Sequence, residues 1–251
     1  MIKKIWITGA SSGIGKALAI KFANEGWQVA ASARREKLLK GLNEQNSNIH
    51  SFPLDVKNEA ETKNTFQNII EKFDNVDIAV FCTGMHDPDS EIKLNSEKIR
   101  EIMETNFFGT LNCIMAVNNY FRDKKRGHIS IVSSVAGYRG LPAASGYCAS
   151  KSALTSLAES LYFDFKRHNV RVSLVSPGFI KTPMTDKNKF PMPMIKSPEF
   201  AAEKMFIGLT KKNAFEIHFP IAFTMMMKLL KIMPNWLYFL LVKKGMRTIK
   251  Y

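Results

Sequence analysis

Hydrophobic and polar positions along the chain follow two patterns in turn, one typical of strands and one typical of helices. The run Lys3–Ile7 is predominantly apolar, as expected of a short strand, and residues 16–24 then carry apolar side chains at helical spacing. The same patterns predict strands at 3–8, 27–32, 49–54, 76–81, 128–133, 170–176 and 214–218. They predict helices near 14–25, 35–45, 58–73, 97–123, 146–168 and 198–210. This alternation favours an α/β fold, a doubly wound parallel sheet with helices on both faces.

The composition is that of an ordinary globular protein. The chain has 251 residues, 45% of them hydrophobic and 23% charged, which allows one domain with a sizeable core. Since no repeat or low-complexity linker divides it, we assign 1–220 to a single sheet domain and 221–251 to a C-terminal tail. The chain opens directly into a strand, so we expect no signal peptide. The three cysteines, an odd number without metal-ligand spacing, favour reduced thiols, a cytoplasmic location and no metal site.

A glycine-rich turn joins the first predicted strand to the first predicted helix. It reads Thr8-Gly9-Ala10-Ser11-Ser12-Gly13-Ile14-Gly15, with the spacing Gly-x-x-x-Gly-x-Gly. Glycines at such a place let the backbone approach a pyrophosphate at the amino terminus of a helix. By itself the turn fits either a dinucleotide site or a tight turn that needs flexible residues.

A tyrosine and a lysine four residues apart lie in a predicted helix. Tyr147 and Lys151 would share one helical face, about one turn from each other. The ammonium would then lower the tyrosine pKa from its usual value of about 10, so that the phenol could exchange protons near neutral pH. Taken alone, the pair also fits a solvated helix face.

Taken together, these motifs resemble those of the short-chain dehydrogenase/reductases over roughly residues 3–217. Five separated elements occur in the family's order and spacing: the turn Thr8–Gly15, Asn106, Ser134 thirteen residues before Tyr147, the pair Tyr147 and Lys151, and Pro177-Gly178. The resemblance implies a Rossmann-like fold and an oxidoreductase that transfers hydride between a nicotinamide and a carbonyl or alcohol. A non-catalytic nucleotide-binding module is the alternative, but such a module has no need of the whole polar set.

The resemblance also implies catalytic roles. Tyr147 would be the general acid in reduction and the base in oxidation, while Lys151 would hold the nicotinamide ribose and keep the tyrosine pKa low. Ser134 would hydrogen-bond the substrate oxygen. Ser133 competes for this role, although the thirteen-residue separation from the tyrosine favours Ser134. Asn106 would hold a helix kink and a water in the proton path.

A nucleotide site at the carboxyl ends of the strands is implied as well. Its contacts would be Gly9, Ser11, Ser12, Gly13, Ile14, Gly15, Arg34, Arg35, Asp55, Val56, Cys82, Thr83, Gly84, Asn106, Tyr147, Lys151, Pro177, Gly178, Ile180 and Thr182. Asp55 has a second interpretation, as the amino-terminal cap of a helix starting near Asn58. The segment 81–84 reads Phe-Cys-Thr-Gly where relatives usually carry Asn-Asn-Ala-Gly, so the glycine is kept and the asparagines are not.

The end of the second strand indicates the cofactor. The strand ends in Arg34 and Arg35, with no carboxylate before Glu36 to bind the ribose hydroxyls of NAD. Guanidinium groups suit a 2′-phosphate, so we expect NADP(H) with Arg34 as the main contact. The second position that can be basic in NADP-preferring relatives is Ser12 here. The alternative is a solvated arginine pair opening the next helix.

The tail, residues 221–251, is apolar and basic, and Pro234-Asn235 divides it into two short predicted helices. None of its apolar runs approaches the roughly 18–20 residues needed to span a bilayer. Its apolar faces would pack on the core or on a second subunit, as in a homodimer, and wall a substrate pocket. Alternatively the tail would lie at the inner face of a membrane, with Lys243, Lys244 and Arg247 on anionic lipid. The net charge of +14 is compatible with both, and no motif or compact basic block indicates nucleic acid.

The segment 183–198 would cover the substrate in a protein of this family. Its methionines and Phe190 would form an adaptable apolar wall, so we expect a hydrophobic ketone or aldehyde, of acyl-chain or isoprenoid type. A mobile proline-containing loop is the alternative.

Overall fold

The computed structural model describes residues 2–188 and 190–246. Seven strands form one sheet: β1 (Lys4–Thr8), β2 (Gln28–Ala33), β3 (Ile49–Pro53), β4 (Ile78–Phe81), β5 (His128–Val132), β6 (Arg171–Pro177) and β7 (Glu216–Phe219). Their order is β3-β2-β1-β4-β5-β6-β7, and every neighbouring pair is parallel. The central strands β4 and β5 are buried along their whole length, which explains their nearly continuous apolar sequences.

Helices connect the strands and cover the sheet. They are α1 (Gly13–Asn24), α2 (Glu36–Gln45), α3 (Glu59–Phe73), α4 (Pro88–Ile92), α5 (Ser96–Met103), α6 (Gly109–Lys124), α7 (Ser145–Lys166), α8 (Pro198–Thr210), α9 (Ile221–Ile232) and α10 (Asn235–Met246). One π-helical turn, Glu104–Phe108, separates α5 from α6. The fold is therefore the predicted Rossmann-like, doubly wound parallel sheet.

The core has two layers because successive strand residues point to opposite faces of the sheet. Ile5 and Ile7 of β1 join a cluster with α1, α2 and α8, whereas Trp6 between them joins a cluster with α3, α6 and α7. Trp6 is fully buried and stacks against Phe66 of α3, with ring centroids 5.4 Å apart. Both faces of the sheet are thus covered by helices.

The seven predicted strands and most predicted helices agree with the structure to within two residues at each end. The helical stretch predicted near 97–123 is present without a break, and the π turn within it separates α5 from α6. The short helix α4 was not predicted. Its five residues are too few for hydrophobic periodicity to reveal it.

The topology determines where a ligand can bind. Connections leave β1 towards β2 on one side and β4 towards β5 on the other, so a crevice opens between the carboxyl ends of β1 and β4. The glycine-rich turn follows β1 there, and Cys82–Gly84 follows β4. Residues far apart in sequence therefore meet at one edge of the sheet.

The C-terminal tail forms the two predicted helices, α9 and α10. Phe223 and Met227 of α9 are buried against Val135 and Tyr138, which follow β5. Within residues 2–188 and 190–246, no helix combines the length and the apolar character needed to cross a membrane. Arg247, the third basic residue expected on lipid, lies outside the described residues.

Candidate active site

A cleft of about 410 Å³ opens at the carboxyl ends of the strands. It is lined by every residue predicted to contact the nucleotide except Asn106: Gly9, Ser11, Ser12, Gly13, Ile14, Gly15, Arg34, Arg35, Asp55, Val56, Cys82, Thr83, Gly84, Tyr147, Lys151, Pro177, Gly178, Ile180 and Thr182. The lining also includes residues that were not predicted, among them Leu54, Thr105, Val132 and Met184. The parallel topology thus collects the carboxyl ends of six strands, β1 to β6, around one space.

The glycine-rich turn forms the floor of this cleft. A Cβ atom on Gly15 would lie 2.4 Å from the carbonyl oxygen of Gly9, so no side chain fits there. Gly9 has φ +70°, and a Cβ atom on it would lie 2.8 Å from the carbonyl oxygen of Cys82. Helix α1 begins at Gly13, and the side chain of Ser12 makes no capping hydrogen bond to it. The first N–H groups of α1 therefore suit an anion such as a pyrophosphate.

The two arginines after β2 occupy different places in the cleft wall. Arg35 donates hydrogen bonds to the hydroxyls of Ser11, at 2.8 Å, and Ser12, at 2.6 Å. It therefore lies directly over the glycine-rich turn. Arg34 lines the cleft with an exposed side chain. Both guanidinium groups are thus available at the end of β2.

The interpretation of Asp55 as a helix cap is wrong. Asn58 is the amino-terminal cap of α3, since its side-chain oxygen accepts the N–H of Glu61 at 3.0 Å. The Asp55 carboxylate instead accepts the N–H of Lys57 at 3.1 Å and lines the cleft.

Three polar side chains converge where the cleft passes between β5 and α7. Ser134 and Tyr147 both line this part of the cleft, and the serine hydroxyl acts to lower the pKa of the tyrosine. The ammonium of Lys151 donates to the carbonyl of Val132 at 2.9 Å and lies 5.7 Å from the centre of the Tyr147 ring. Ser133 is directed away from them and donates to the carbonyl of Lys151 at 2.8 Å. Of the two serines, Ser134 is the one whose hydroxyl acts on the pKa of the tyrosine.

Burial shifts the pKa values of this group. It raises the pKa of Tyr147 to about 12, although the hydroxyl of Ser134 acts in the opposite direction. Burial also lowers the pKa of Lys151 to about 8. The expectation that Lys151 holds the tyrosine pKa below its usual value is therefore wrong for this structure. Desolvation of the phenolate is the largest cause of the raised tyrosine pKa.

Asn106 lies behind the cleft and not on its surface. It sits in the π turn, fully buried, so the predicted local distortion of the helix is present. Its side chain accepts the N–H of Met85 at 2.7 Å and donates to the carbonyl of Met85 and the hydroxyl of Ser150, both at 3.0 Å. It therefore joins the loop after β4 to α7.

Sequence reasoning missed two residues that contact Tyr147. Glu91 of α4 is 2% exposed, and its carboxylate accepts the backbone N–H of Tyr147 at 3.0 Å. Its other oxygen lies 2.7 Å from Nδ1 of His86, whose ring centre is 4.6 Å from that of Tyr147. No motif points to these residues, since 56 positions separate Glu91 from the tyrosine.

A second, more apolar cavity of about 330 Å³ adjoins the first. Its walls come from the loop after β5, the predicted covering segment and the tail: Val135, Leu141, Pro142, Phe179, Met184, Phe190, Pro191, Pro193, Phe223 and Val242. Phe190 thus lies where the sequence predicted. Met184 is the methionine among the lining residues, whereas Met194 is 53% exposed.

Comparison with known proteins identifies the family. Residues 3–191 match the family model described as short chain dehydrogenase. The chain belongs to the short-chain dehydrogenase/reductase family. An uncharacterized oxidoreductase of Myxococcus xanthus is 34% identical over 92% of this chain and 93% of its own. A 3-oxoacyl-[acyl-carrier-protein] reductase of Thermotoga maritima is 29% identical over 83% of this chain and 91% of its own.

Solved structures of this family have the same fold. A short-chain dehydrogenase from Burkholderia cenocepacia, in complex with NADP, has a TM-score of 0.83 and 23% identity over 96% of this chain and 97% of its own. Family membership makes the protein an NAD(P)-dependent oxidoreductase acting on CH–OH or C=O groups.

Proposed function

We propose that this short-chain dehydrogenase/reductase uses NADP(H) to interconvert a hydrophobic carbonyl compound and its alcohol, with Tyr147 as general acid and base. The observation that carries the proposal is that Ser134 and Tyr147 line both cavities. Together with Thr185, they supply the hydroxyls shared by a cleft suited to a nucleotide and an apolar space suited to a substrate.

The protein supplies the proton and the position. With a pKa raised to about 12 by burial, Tyr147 carries its proton at neutral pH and can give it to a substrate oxygen during reduction. Ser134 lines the two cavities beside the tyrosine and would hold the same oxygen and stabilise the charge that develops on it. A nicotinamide nucleotide in the cleft supplies or accepts the hydride.

Lys151 and Asn106 support these two groups. Burial lowers the pKa of Lys151 to about 8, so the ammonium form predominates at neutral pH and suits the ribose hydroxyls of a nucleotide. Its charge also favours the phenolate that Tyr147 becomes after giving up its proton. We assign Asn106 a positioning role, because it bonds to Met85 and Ser150 and does not line the cleft.

The preference for NADP(H) rests on the two arginines. Arg34 lines the cleft at the end of β2. Arg35 donates hydrogen bonds to Ser11 and Ser12. It therefore brings a positive charge close to Ser12, the second position that can be basic in NADP-preferring relatives. Two guanidinium groups without an intervening carboxylate favour a 2′-phosphate over the free ribose hydroxyls of NAD.

A hydrophobic substrate follows from the second cavity. Phe179, Phe190 and Phe223 supply much of its wall, and its polar atoms are few apart from those of His86, Ser134, Tyr147, Thr185 and Asn188. We infer a ketone or aldehyde on an apolar chain. The similarity to a 3-oxoacyl reductase supports an acyl-type chain.

The decisive experiment is Tyr147→Phe, assayed by NADPH consumption over ketones and aldehydes of graded chain length. We expect NADPH binding to remain and turnover to fall by about 10²–10⁴-fold, the usual contribution of general acid catalysis. Tyr162→Phe is the matched control, since Tyr162 lies on the same helix and lines neither cavity. Turnover of Tyr147→Phe at the parent rate would remove the proposed role of the phenol.

A further inference from the structure

The tail helices present an apolar surface to solvent. In the described part of the chain, half of the large apolar side chains that are exposed belong to residues 221–241. We call them the tail surface: Ile221, Met225, Met226, Leu229, Ile232, Trp236, Phe239, Leu240 and Leu241. Trp236 is 69% exposed and Ile232 is 77% exposed. Isolated exposed apolar residues are normal, but a cluster of this kind indicates a binding surface.

Packing within the chain does not account for this surface. Along α9, the exposed positions 221, 225, 229 and 232 recur at helical spacing on one face, while Phe223 and Met227 are buried on the other. Along α10, positions 236, 239 and 240 are exposed while Tyr238 is buried. The buried faces of α9 and α10 thus attach the tail to the rest of the protein. This packing does not give the exposed faces a role.

The charged side chains of the tail itself are all basic. No aspartate or glutamate occurs between Ile217 and Met246, whereas lysines are interspersed with the apolar residues. Lys228 forms an ion pair with Glu216 at 2.6 Å. Lys231, Lys243 and Lys244 are exposed. An apolar face bordered by lysines complements a membrane whose headgroups are anionic.

We propose that the tail surface binds the interface of an anionic lipid bilayer, with Trp236 and its apolar neighbours among the acyl chains and the lysines on the headgroups. A second copy of this chain is a poorer occupant. A two-fold contact would set the same patch against itself, and would bring together Lys231, Lys243 and Lys244 of a segment that has no acidic residue of its own.

The tail also forms part of the wall of the apolar cavity, which connects the proposed membrane contact to the proposed function. Phe223 of α9 and Val242 of α10 line the apolar cavity. If the proposed function is correct, a membrane-bound enzyme could take its hydrophobic substrate from the lipid through this wall. The membrane contact itself is tested without any assay of activity, so the two proposals can fail separately.

Tryptophan fluorescence offers a direct test on the full chain. Trp6 and Trp27 are 0% and 7% exposed, so a change on lipid binding reports on Trp236. We expect a blue shift when vesicles of phosphatidylcholine and phosphatidylglycerol are added, and co-flotation of the protein with them. Pure phosphatidylcholine vesicles should bind more weakly. Trp236→Phe should lose the spectral shift and still float.

Two sets of variants locate the contact. The double variant Phe239→Ser/Leu240→Ser should abolish flotation. The control is the double variant Phe163→Ser/Met115→Ser, at similarly exposed positions on α7 and α6, which should leave flotation unchanged. Lys243→Gln with Lys244→Gln should weaken binding roughly 30-fold, since each lysine near an anionic surface contributes about a factor of five. Thermal unfolding and NADPH binding check that each variant is folded.

Some results would overturn the proposal. The first is that the parent chain does not float with anionic vesicles and its tryptophan fluorescence does not shift. Another is flotation that persists at the parent level in the Phe239 and Leu240 variant. A dimer in sedimentation that this variant dissociates, together with no flotation of the parent, would assign the tail surface to a second copy instead.

Discussion

The carboxylate of Glu91 accepts a hydrogen bond from the backbone N–H of Tyr147, at 3.0 Å. Tyr147 is the third residue of α7, where an N–H group has no partner within the helix. The residue at the amino-terminal cap is Ala144, which has no side chain that could accept it. Glu91 therefore caps α7 from another element and holds the first turn, which carries the proposed catalytic phenol.

We expect Glu91→Ala to reduce both stability and turnover. The buried N–H of Tyr147 would lose its acceptor, which lowers the free energy of unfolding by about 1–3 kcal/mol. The KM for NADPH should stay near the parent value, because Glu91 does not line the nucleotide cleft. Denaturant unfolding and steady-state kinetics measure the two effects.

Two variants complete this test. Glu91→Gln keeps an oxygen acceptor and should recover most of the stability. Glu97→Ala removes an exposed carboxylate from α5 and should change little. If Glu91→Ala and Glu97→Ala unfold at the same denaturant concentration, Glu91 does not cap α7.

The reduction rate should decline on the alkaline side of about pH 8. Burial lowers the pKa of Lys151 to about 8, so its ammonium form is present below that pH and is lost above it. Burial raises the pKa of Tyr147 to about 12, so the phenol keeps its proton throughout this range. Because kcat/KM reports the groups of the free enzyme, its pH profile for carbonyl reduction should show one fall with an apparent pKa near 8. A flat profile up to about pH 10 would contradict this assignment to Lys151.

Arg34→Ala should discriminate between the two nicotinamide cofactors. Loss of a charge-assisted contact to the 2′-phosphate should weaken NADPH binding by roughly 10- to 100-fold and leave NADH binding nearly unchanged. Fluorescence titration with both nucleotides measures this. Lys37→Ala removes a nearby exposed charge that does not line the cleft and serves as the control. An equal loss for both nucleotides would remove Arg34 from phosphate recognition.

Arg139→Lys should loosen the tail. The Arg139 guanidinium donates to the carbonyls of Leu230 and Met233, both at 2.7 Å, and lies 4.1 Å from the centre of the Tyr238 ring. A lysine cannot make this set of contacts, because it lacks the planar fork. We expect faster amide hydrogen exchange in α9 and α10, and no such change in Arg126→Lys, where the arginine is exposed. Unchanged exchange in the tail would show that Arg139 does not fasten it.

Sequence patterns within short segments were sufficient to predict the fold and many of the residues that line the cleft. Tyr147 and Lys151 could be paired from the sequence because residues four apart on a helix share a face, and α7 is a long helix. Ser134 lines both cavities together with Tyr147, and its role towards a substrate oxygen, for which the thirteen-residue spacing favours it over Ser133, stays a prediction. The glycines at 9, 13 and 15 predict a close backbone approach to a pyrophosphate, and the backbone atoms around Gly9 and Gly15 leave no room for a side chain at these two positions.

Other features depend on contacts that no local pattern contains. The pKa of Tyr147 was predicted in the wrong direction, since the sequence shows the neighbouring ammonium but not the degree of burial. Asn106 was expected in the cleft and lies behind it. Glu91 and His86 could not be found, because α4 reaches α7 only through the tertiary fold.

The sequence by itself determined the α/β alternation, the glycine-rich turn and the helical spacing of Tyr147 and Lys151, because each depends on neighbours within a few residues. Only the tertiary structure decided which groups desolvate the tyrosine, which carboxylate caps α7 and which face of the tail meets the core. Burial and long-range hydrogen bonds are properties of surfaces brought together by folding. They have no counterpart in the periodicity of a single segment.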